Sequence, residues 1–178
     1  MTTLHPQTKI LEFAIHIRLA DEDDIPNLEW HGQYTHYRKL FQRSYREQLQ
    51  GKRLMVLAIC NDVPVGQIFV QLKSTNKRIA DGNKRAYLYS FRVMEMFQGR
   101  GIGTWLIQET ESMLSERGFT LVTIAVSKTN HDALRLYERL KYIKFAEDPG
   151  RWSYTDHKDI VHHINDPCWI LEKKLIMR

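Results

Sequence analysis

The chain has 178 residues, of which 43% are hydrophobic and 26% charged, and its 26 Lys and Arg against 21 Asp and Glu give a net charge of +5. A chain of this length buries enough surface to fold without disulfides or a structural metal. We predict an N-terminal tail at residues 1–12 and a single domain at 13–178. The longest uninterrupted apolar run, Leu54 to Cys60, is far shorter than the roughly 20 residues that cross a bilayer, which excludes a transmembrane helix.

The sequence also limits the expected cellular compartment and the expected binding partners. The first residues lack the basic region and apolar stretch of a secretory signal, so we expect a cytoplasmic protein. Cys60 and Cys168 are too few for a disulfide scaffold or a cysteine zinc site. His157, His162 and His163 have no carboxylate or cysteine cluster at ligand spacing, so no metal is expected. The positive charge is small and spread out, and neither nucleic acid nor a membrane is an expected partner.

The first half of the chain is predicted to contain both strands and helices. A strand at 13–18 precedes the acidic run Asp21 to Asp24, which suits the start of a helix that continues towards Trp30. Helical spacing of apolar residues predicts a second helix from 36 to 50, which ends before a glycine. Two aliphatic runs at 54–60 and 65–72, separated by a short polar turn, predict a hairpin.

A fourth strand is predicted from Ala86 to Val93. Strict alternation would place Tyr87, Tyr89, Phe91 and Val93 on one face of this strand.

The second half begins with a glycine-rich turn that opens a helix. That helix carries Ile102, Leu106, Thr110 and Met113 along one stripe. A strand at 121–126, a helix at 130–140, a short strand at 142–145, a long insert at 147–165 and a closing strand at 168–175 complete the predicted order. Such an order indicates an α/β fold with a mixed sheet.

The glycine-rich turn is the strongest chemical signal in the sequence. A strand followed by such a turn and a helix makes an anion site, because the first helical N–H groups have no internal partner and the helix dipole adds partial positive charge. The missing side chains of Gly99, Gly101 and Gly103 allow a phosphate to approach closely. The spacing fits neither a dinucleotide fingerprint nor a Walker loop, which argues against NAD and ATP.

Two motifs in this half resemble those of the GNAT superfamily of N-acyltransferases. Gln98, Gly101 and Gly103 match the Q-x-x-G-x-G signature for the pyrophosphate of coenzyme A, and Asn130, Ala133 and Tyr137 match the helix motif N-x-x-A-x-x-x-Y. The resemblance covers roughly 13 to 175. It implies a mixed, mostly antiparallel central sheet of about seven strands, with helices on both faces and a splay between strands 4 and 5. The chain departs from the family where Lys141-Tyr142 replaces the usual Gly-Phe.

The resemblance also implies a cofactor, acetyl-CoA, and a set of residues that bind it. Backbone amides near Val93 would hold the acetyl carbonyl, Asn130 would bond the pantetheine amide or neighbouring backbone, and Tyr137 would stabilise the departing thiolate as the catalytic residue. The implied cofactor-binding residues are Phe91, Arg92, Val93, Gln98, Gly99, Arg100, Gly101, Ile102, Gly103, Thr104, Asn130, Ala133 and Tyr137.

The acceptor is predicted only as a primary amine of a small molecule or a protein. Aromatic residues on segments that would border the acceptor cleft are candidates for binding it: Trp30, Tyr34, Tyr87, Tyr89, Trp152 and Tyr154. The family's glutamate base on the fourth strand corresponds to Tyr87, so the proton acceptor stays open between Glu95, His157 and a water held by the hydroxyls of Tyr87 and Tyr89.

The missing base leaves an alternative function open, a non-catalytic module that senses or regulates by binding acyl-CoA. Homodimers are common in this family, but no feature of the sequence indicates one.

Overall fold

The computed structural model describes residues 12–176, so nearly all of the tail predicted at 1–12 lies outside the described residues. The strands are β1 (Ile15–Leu19), β2 (Arg53–Cys60), β3 (Val63–Gln71), β4 (Arg85–Val93), β5 (Leu121–Ser127), β6 (Ile143–Asp148), β7 (Arg151–Thr155), β8 (Val161–Asn165) and β9 (Cys168–Lys174). The helices are α1 (Asp24–Asn27), α2 (Arg38–Leu49), α3 (Ile102–Glu116) and α4 (His131–Arg139), and short 3-10 turns lie at Thr35–Tyr37 and Glu95–Phe97.

Within residues 12–176, seven strands form one sheet in the order β1-β2-β3-β4-β5-β9-β6. The β4–β5 pair is parallel and the other pairs are antiparallel. The predicted α/β fold with a mixed, mostly antiparallel sheet is thereby confirmed.

Helices cover both faces of this sheet, and its central strands are therefore buried on both sides. Along β2, Leu54, Val56 and Ala58 belong to a core shared with α3, whereas Met55 and Leu57 belong to a second core. Phe41 of α2 completes that second core. This two-sided burial explains why β2 is a continuous aliphatic run rather than an alternating one.

A β-bulge in β4 changes which face its side chains occupy. Ser90 has a φ of +54°, and the register between β3 and β4 shifts at this point. Tyr89 packs against the α2 core, whereas Phe91 and Val93 pack against the α3 core. The prediction that strict alternation holds these aromatic residues on one face is therefore wrong, because a bulge inserts an extra residue into the strand.

The parallel pairing of β4 and β5 stops halfway along β4. The last paired residues are Leu88 and Ile124, and the register of this pair does not continue into the remainder of either strand. β5 stays paired with β9 as far as Ser127. The sheet is thus open between the ends of β4 and β5, as the resemblance implied.

The first helix is shorter than predicted. It ends at Asn27, and Trp30 and His31 adopt φ values of +42° and +56°, which no helix contains. Asp24 accepts two hydrogen bonds from the Arg18 guanidinium and one from the Asp21 amide, so it ties the helix start to β1.

The insert predicted at 147–165 contains a second sheet. Its first residues extend β6, and β7 and β8 then pair as an antiparallel hairpin. Tyr154 of this hairpin lies with its ring centroid 4.8 Å from that of Tyr37, and Lys39 Nζ lies 2.5 Å from Asp159 Oδ1. The β7–β8 hairpin therefore docks on the 3-10 turn at Thr35–Tyr37 and on the first turn of α2.

Candidate active site

The turn before α3 presents a row of free backbone N–H groups. Gly99 and Gly101 adopt φ values of +71° and +80°, and a Cβ on either would meet nothing within 4 Å. In the described part of the chain, no backbone or side-chain acceptor bonds the amides of 99–104, and the first intrahelical bond of this turn comes from the Trp105 amide. Unpartnered amides at a helix N-terminus suit an anion.

Gly103 is required by close packing rather than by its φ. A Cβ at this position would lie 2.9 Å from Phe91 Cζ and 3.7 Å from Val93 Cγ2. The absence of a side chain therefore lets the start of α3 approach the end of β4.

A cavity of about 600 Å³ opens in front of this turn, and we call it the glycine-turn cavity. Most of the residues predicted to bind the cofactor line it: Phe91, Arg92, Val93, Gln98, Gly99, Gly101, Ile102, Gly103, Thr104, Asn130, Ala133 and Tyr137. Two elements distant in sequence, α3 and α4, thus supply one wall each.

Arg100 and Gln98 use their side chains locally. Arg100 Nε donates to Met96 O at 3.3 Å, and this side chain does not line the glycine-turn cavity. Gln98 Nε2 donates to Val93 O at 2.8 Å, which fixes the turn to the end of β4.

Asn130 caps α4. Its Oδ1 accepts a hydrogen bond from the Ala133 amide at 3.0 Å, so this part of the motif satisfies a helical N–H that would otherwise lack a partner. Of the two bonding roles implied for Asn130, the structure contains the one to neighbouring backbone.

Tyr137 reaches the glycine-turn cavity from α4 and is only 4% exposed. Burial, and then the charge of Tyr87, raises the pKa of its phenol well above the usual value. The nearby Tyr142 hydroxyl donates to Glu111 Oε1 at 2.7 Å, whereas the Tyr137 hydroxyl has no bond of this kind within 12–176. Tyr137 is therefore a neutral phenol with a free donor.

A second cavity of about 590 Å³ lies between α2, β4 and the β7–β8 hairpin, and we call it the hairpin cavity. Three of the six residues predicted to bind the acceptor line it: Tyr87, Tyr89 and Trp152. Tyr34 instead lines the glycine-turn cavity. Trp30 is buried against Tyr34, and Tyr154 packs between Tyr37 and His162, so these two line neither cavity.

The four groups considered as proton acceptors are not equally placed. Glu95 is exposed and His157 is half-buried, and neither lines the glycine-turn cavity or the hairpin cavity. Tyr87 lines the hairpin cavity, but burial and the charges of Cys168 and Asp148 raise the pKa of its phenol, so it stays neutral. The Tyr89 hydroxyl accepts a hydrogen bond from Arg53 Nη1 at 2.6 Å.

Sequence reasoning missed two carboxylates in the hairpin cavity. Asp148 ends β6 and Asp166 precedes β9, so both lie at the edges of the insert. Asp148 Oδ1 accepts the Gly150 amide at 2.8 Å, and Asp166 Oδ1 accepts the Ser127 hydroxyl at 2.7 Å. Both carboxylates lie near Gly150, where an added Cβ would collide with Asp166 O. This arrangement depends on the fold of the insert, which local sequence patterns do not specify.

Residues 12–176 contain neither a cluster suited to a metal ion nor a helix suited to spanning a membrane. No three His, Cys, Asp or Glu side chains there converge in a way that could hold a metal ion. None of the helices in this range has the length and hydrophobicity of a membrane span.

A model of the acetyltransferase (GNAT) family matches residues 19–142. Because the match spans more than half of the chain, the protein belongs to the GNAT family of acetyltransferases. This confirms the resemblance carried by the two motifs. No curated protein matches the chain.

Solved structures of low identity share the fold. Ard1 from Thermoplasma volcanium is 18% identical with a TM-score of 0.69, over 92% of this chain and 99% of that one. The ribosomal-protein-S18-alanine N-acetyltransferase from Escherichia coli is 18% identical with a TM-score of 0.69, over 93% and 96%. NAA60 from Arabidopsis thaliana in complex with acetyl-CoA is 17% identical with a TM-score of 0.68, over 91% and 99%.

Proposed function

We propose that this protein is an N-acetyltransferase that transfers an acetyl group from acetyl-CoA to a primary amine of a small molecule or a protein. The observation that carries the proposal is the row of unpartnered amides at 99–104, most of whose residues line the same cavity as Tyr137. The family assignment supports it, and so does the acetyl-CoA bound in the NAA60 structure.

The glycine-turn cavity suits coenzyme A as the ligand. A pyrophosphate needs several converging N–H donors and close approach, because a single exposed dipole contact contributes only about 0.3–1 kcal/mol. The amides at 99–104 and the glycines among them meet both needs. We propose that this turn holds the pyrophosphate and that the rest of the molecule extends towards the gap between β4 and β5.

Acetyl-CoA supplies an activated acetyl group in the form of a thioester. In direct transfer, the amine nitrogen forms a bond to the acetyl carbon, the bond from that carbon to sulfur breaks so that the sulfur leaves as a thiolate, and the nitrogen passes its proton to water. The unpaired end of β4 near Val93 offers backbone N–H groups to the carbonyl oxygen on which negative charge develops. The role proposed for these amides requires no particular side chain.

Tyr137 is proposed to stabilise the departing thiolate. A phenol is already a weaker acid than a thiol, by about 2 kcal/mol on ordinary pKa values. Because burial raises the pKa of Tyr137 further, its hydroxyl serves as a hydrogen-bond donor to sulfur rather than as the source of a transferred proton.

The test is the Tyr137→Phe variant, which removes the hydroxyl and keeps the ring. Turnover with an amine acceptor should fall roughly 10- to 100-fold, as expected for a lost charged hydrogen bond, while the affinity for acetyl-CoA changes far less. Release of free thiol measures turnover and calorimetry measures binding. Tyr142→Phe is the matched control, since its hydroxyl bonds Glu111 outside both cavities.

Two outcomes would count against the proposal. An unchanged rate in Tyr137→Phe would remove Tyr137 from the chemistry. Binding of acetyl-CoA with no amine-dependent thiol release across a broad acceptor panel would favour the non-catalytic acyl-CoA-binding module instead.

A further inference from the structure

Arg92 is a half-buried cation that has no carboxylate partner among residues 12–176. Its guanidinium carbon lies 4.4 Å from the ring centroid of Tyr34 and 4.9 Å from that of Tyr37. Its Nη1 is buried and has no hydrogen-bond partner among residues 12–176. Burial lowers the pKa of Arg92, and the groups that oppose this are the two tyrosines rather than a carboxylate.

The two rings leave the donors of the guanidinium unused. A cation–π contact covers the face of the guanidinium, whereas its five N–H donors point outward in its plane. A partly desolvated cation without a partner is destabilising unless an anion reaches it. The surroundings of Arg92 therefore hold the group in place without giving its donors an acceptor, and the residue lines both cavities.

The position of Arg92 identifies which ligand can supply the anion. Phe91 and Val93 pack towards α3, and residues alternate along a strand, so Arg92 lies on the opposite side of β4 from the glycine turn. The amides at 99–104 thus lie on one side of β4, and the Arg92 guanidinium lies on the other. Arg92 lines both cavities, which places it at their junction.

We infer that Arg92 binds a carboxylate of the acyl acceptor, so that the substrates are amines that also carry a carboxylate. This inference rests on the proposed function. Planar, bidentate recognition of a carboxylate is what a guanidinium does best. Asp148 and Asp166 line the same hairpin cavity, and the opposite charges on its walls suit a substrate with both an ammonium and a carboxylate.

Acceptors in matched pairs test the inference. Each free amino acid is compared with its amide, and each peptide with an acidic second residue is compared with its neutral counterpart, so that the two sources of a carboxylate are separated. The measurements are kcat/KM for acetyl transfer, and calorimetric affinity in the presence of coenzyme A, which needs no turnover. We expect the carboxylate member to be favoured by about tenfold or more in one of the two sets.

Variants then assign the preference to a residue. Arg92→Gln should reduce the ratio between acid and amide about tenfold, and Arg92→Lys should retain part of it, because lysine keeps the charge and loses the planar fork. Arg46→Gln is the matched control, since it removes an exposed cation of α2 that lines neither cavity, and the ratio should stay unchanged.

A spectroscopic readout reports on the same contact. Burial and the charge of Arg92 lower the pKa of His36, so a carboxylate bound at Arg92 should raise that pKa in an NMR titration. A ring contact that only supported the fold would not produce this change.

The outcomes separate this inference from the proposed function. Equal affinities and equal kcat/KM values for acid and amide in the wild type would overturn it, as would an Arg92→Gln variant that weakens coenzyme A binding and leaves the ratio intact. If no acceptor is acetylated, the proposed function fails, while carboxylate binding in calorimetry and the His36 titration still decide the role of Arg92.

Discussion

Lys141 occupies a backbone conformation that favours glycine. Its φ is +71°, and it follows α4 in an arrangement where the Lys141 amide donates to Glu138 O and the Tyr142 amide donates to Tyr137 O, each at 3.0 Å. This pair of bonds is the Schellman motif, whose left-handed residue is usually glycine. The departure from the family pattern at this position thus changes the residue and preserves the turn, and it keeps Tyr142 buried beside Tyr137.

We expect Lys141→Gly to raise the free energy of unfolding by about 1 kcal/mol, because a non-glycine residue in the left-handed region is strained. Lys141 is exposed, so the substitution removes little packing. Chemical denaturation measures the change. Lys141→Ala is the control, since alanine retains the strained geometry. An equal gain in both variants would show that the backbone of Lys141 is not the cause.

The elements differ in how far the sequence determines them. The strands and helices of the main sheet follow local patterns, and most begin and end within a few residues of their predicted positions. The bulge at Ser90 does not follow a local pattern, because it depends on β3. Gln67 Nε2 of that strand donates to both Ser90 O and Ser90 Oγ. The bulge decides the orientation of Tyr89 and Arg92, so part of the candidate site could not be predicted from alternation alone.

The β7–β8 hairpin is likewise not predicted from the sequence, because its strands lie in a polar segment. Asp156 organises its turn, since Oδ1 accepts the amides of Lys158 and Ile160 and Oδ2 lies 2.8 Å from His162 Nε2. Such side-chain bonds to nearby amides are a local signal. The docking of the hairpin against Tyr37 and Lys39 is a tertiary contact and has no local signature.

The hairpin should lose stability in acid. The bond to His162, together with the two backbone amides, lowers the pKa of Asp156 to about 2. Because this value lies below the roughly 3.9 of an unfolded aspartate, the stabilisation is present above about pH 4 and is lost as the pH falls towards 2. The loss of these hydrogen bonds is measured from the amide chemical shifts of Lys158 and Ile160. The shifts are followed from about pH 5 to about pH 2, the range over which Asp156 takes up its proton.

Asp156→Asn should flatten that pH dependence. Asp159→Asn is the matched control, because it removes the ion pair to Lys39 and leaves the turn intact. The same acid transition in Asp156→Asn and in the wild type would contradict the assignment.

At the scale of the whole molecule, the two motifs come together only through the sheet. The glycine turn follows β4 and the tyrosine helix follows β5, and the parallel pairing of these strands brings α3 and α4 to the same side of the gap. The sequence places both motifs correctly because each is local. It does not place Asp148, Asp166 or the environment of Arg92, which depend on the insert and on the segment before α2.

Coenzyme A should stabilise the folded protein as a whole. A ligand at 100 times its Kd raises the free energy of unfolding by about 2.7 kcal/mol when it binds only the folded state. Gly103→Ala should lose part of this gain, since its Cβ would lie 2.9 Å from Phe91 Cζ, so that either the Phe91 ring or the start of α3 has to shift. Thermal unfolding with and without coenzyme A measures the effect.

Ser112→Ala, in the middle of α3 and away from the turn, is the control and should keep the full gain. If Gly103→Ala is stabilised as much as the wild type, the glycine turn does not hold the ligand.

The gap between β4 and β5 also bears on aggregation. A strand with free backbone groups normally invites pairing with another chain, and proteins protect such edges on the rim of a sheet. This sheet has two further edges at the gap, but they lie in its interior, with β3 flanking one and β9 flanking the other. Because strands flank the gap on both sides, it has less room for a further strand than the rim of the sheet has. The gap thus keeps the bonding capacity of edge strands at a place other than the outer edges, which are β1 and β6.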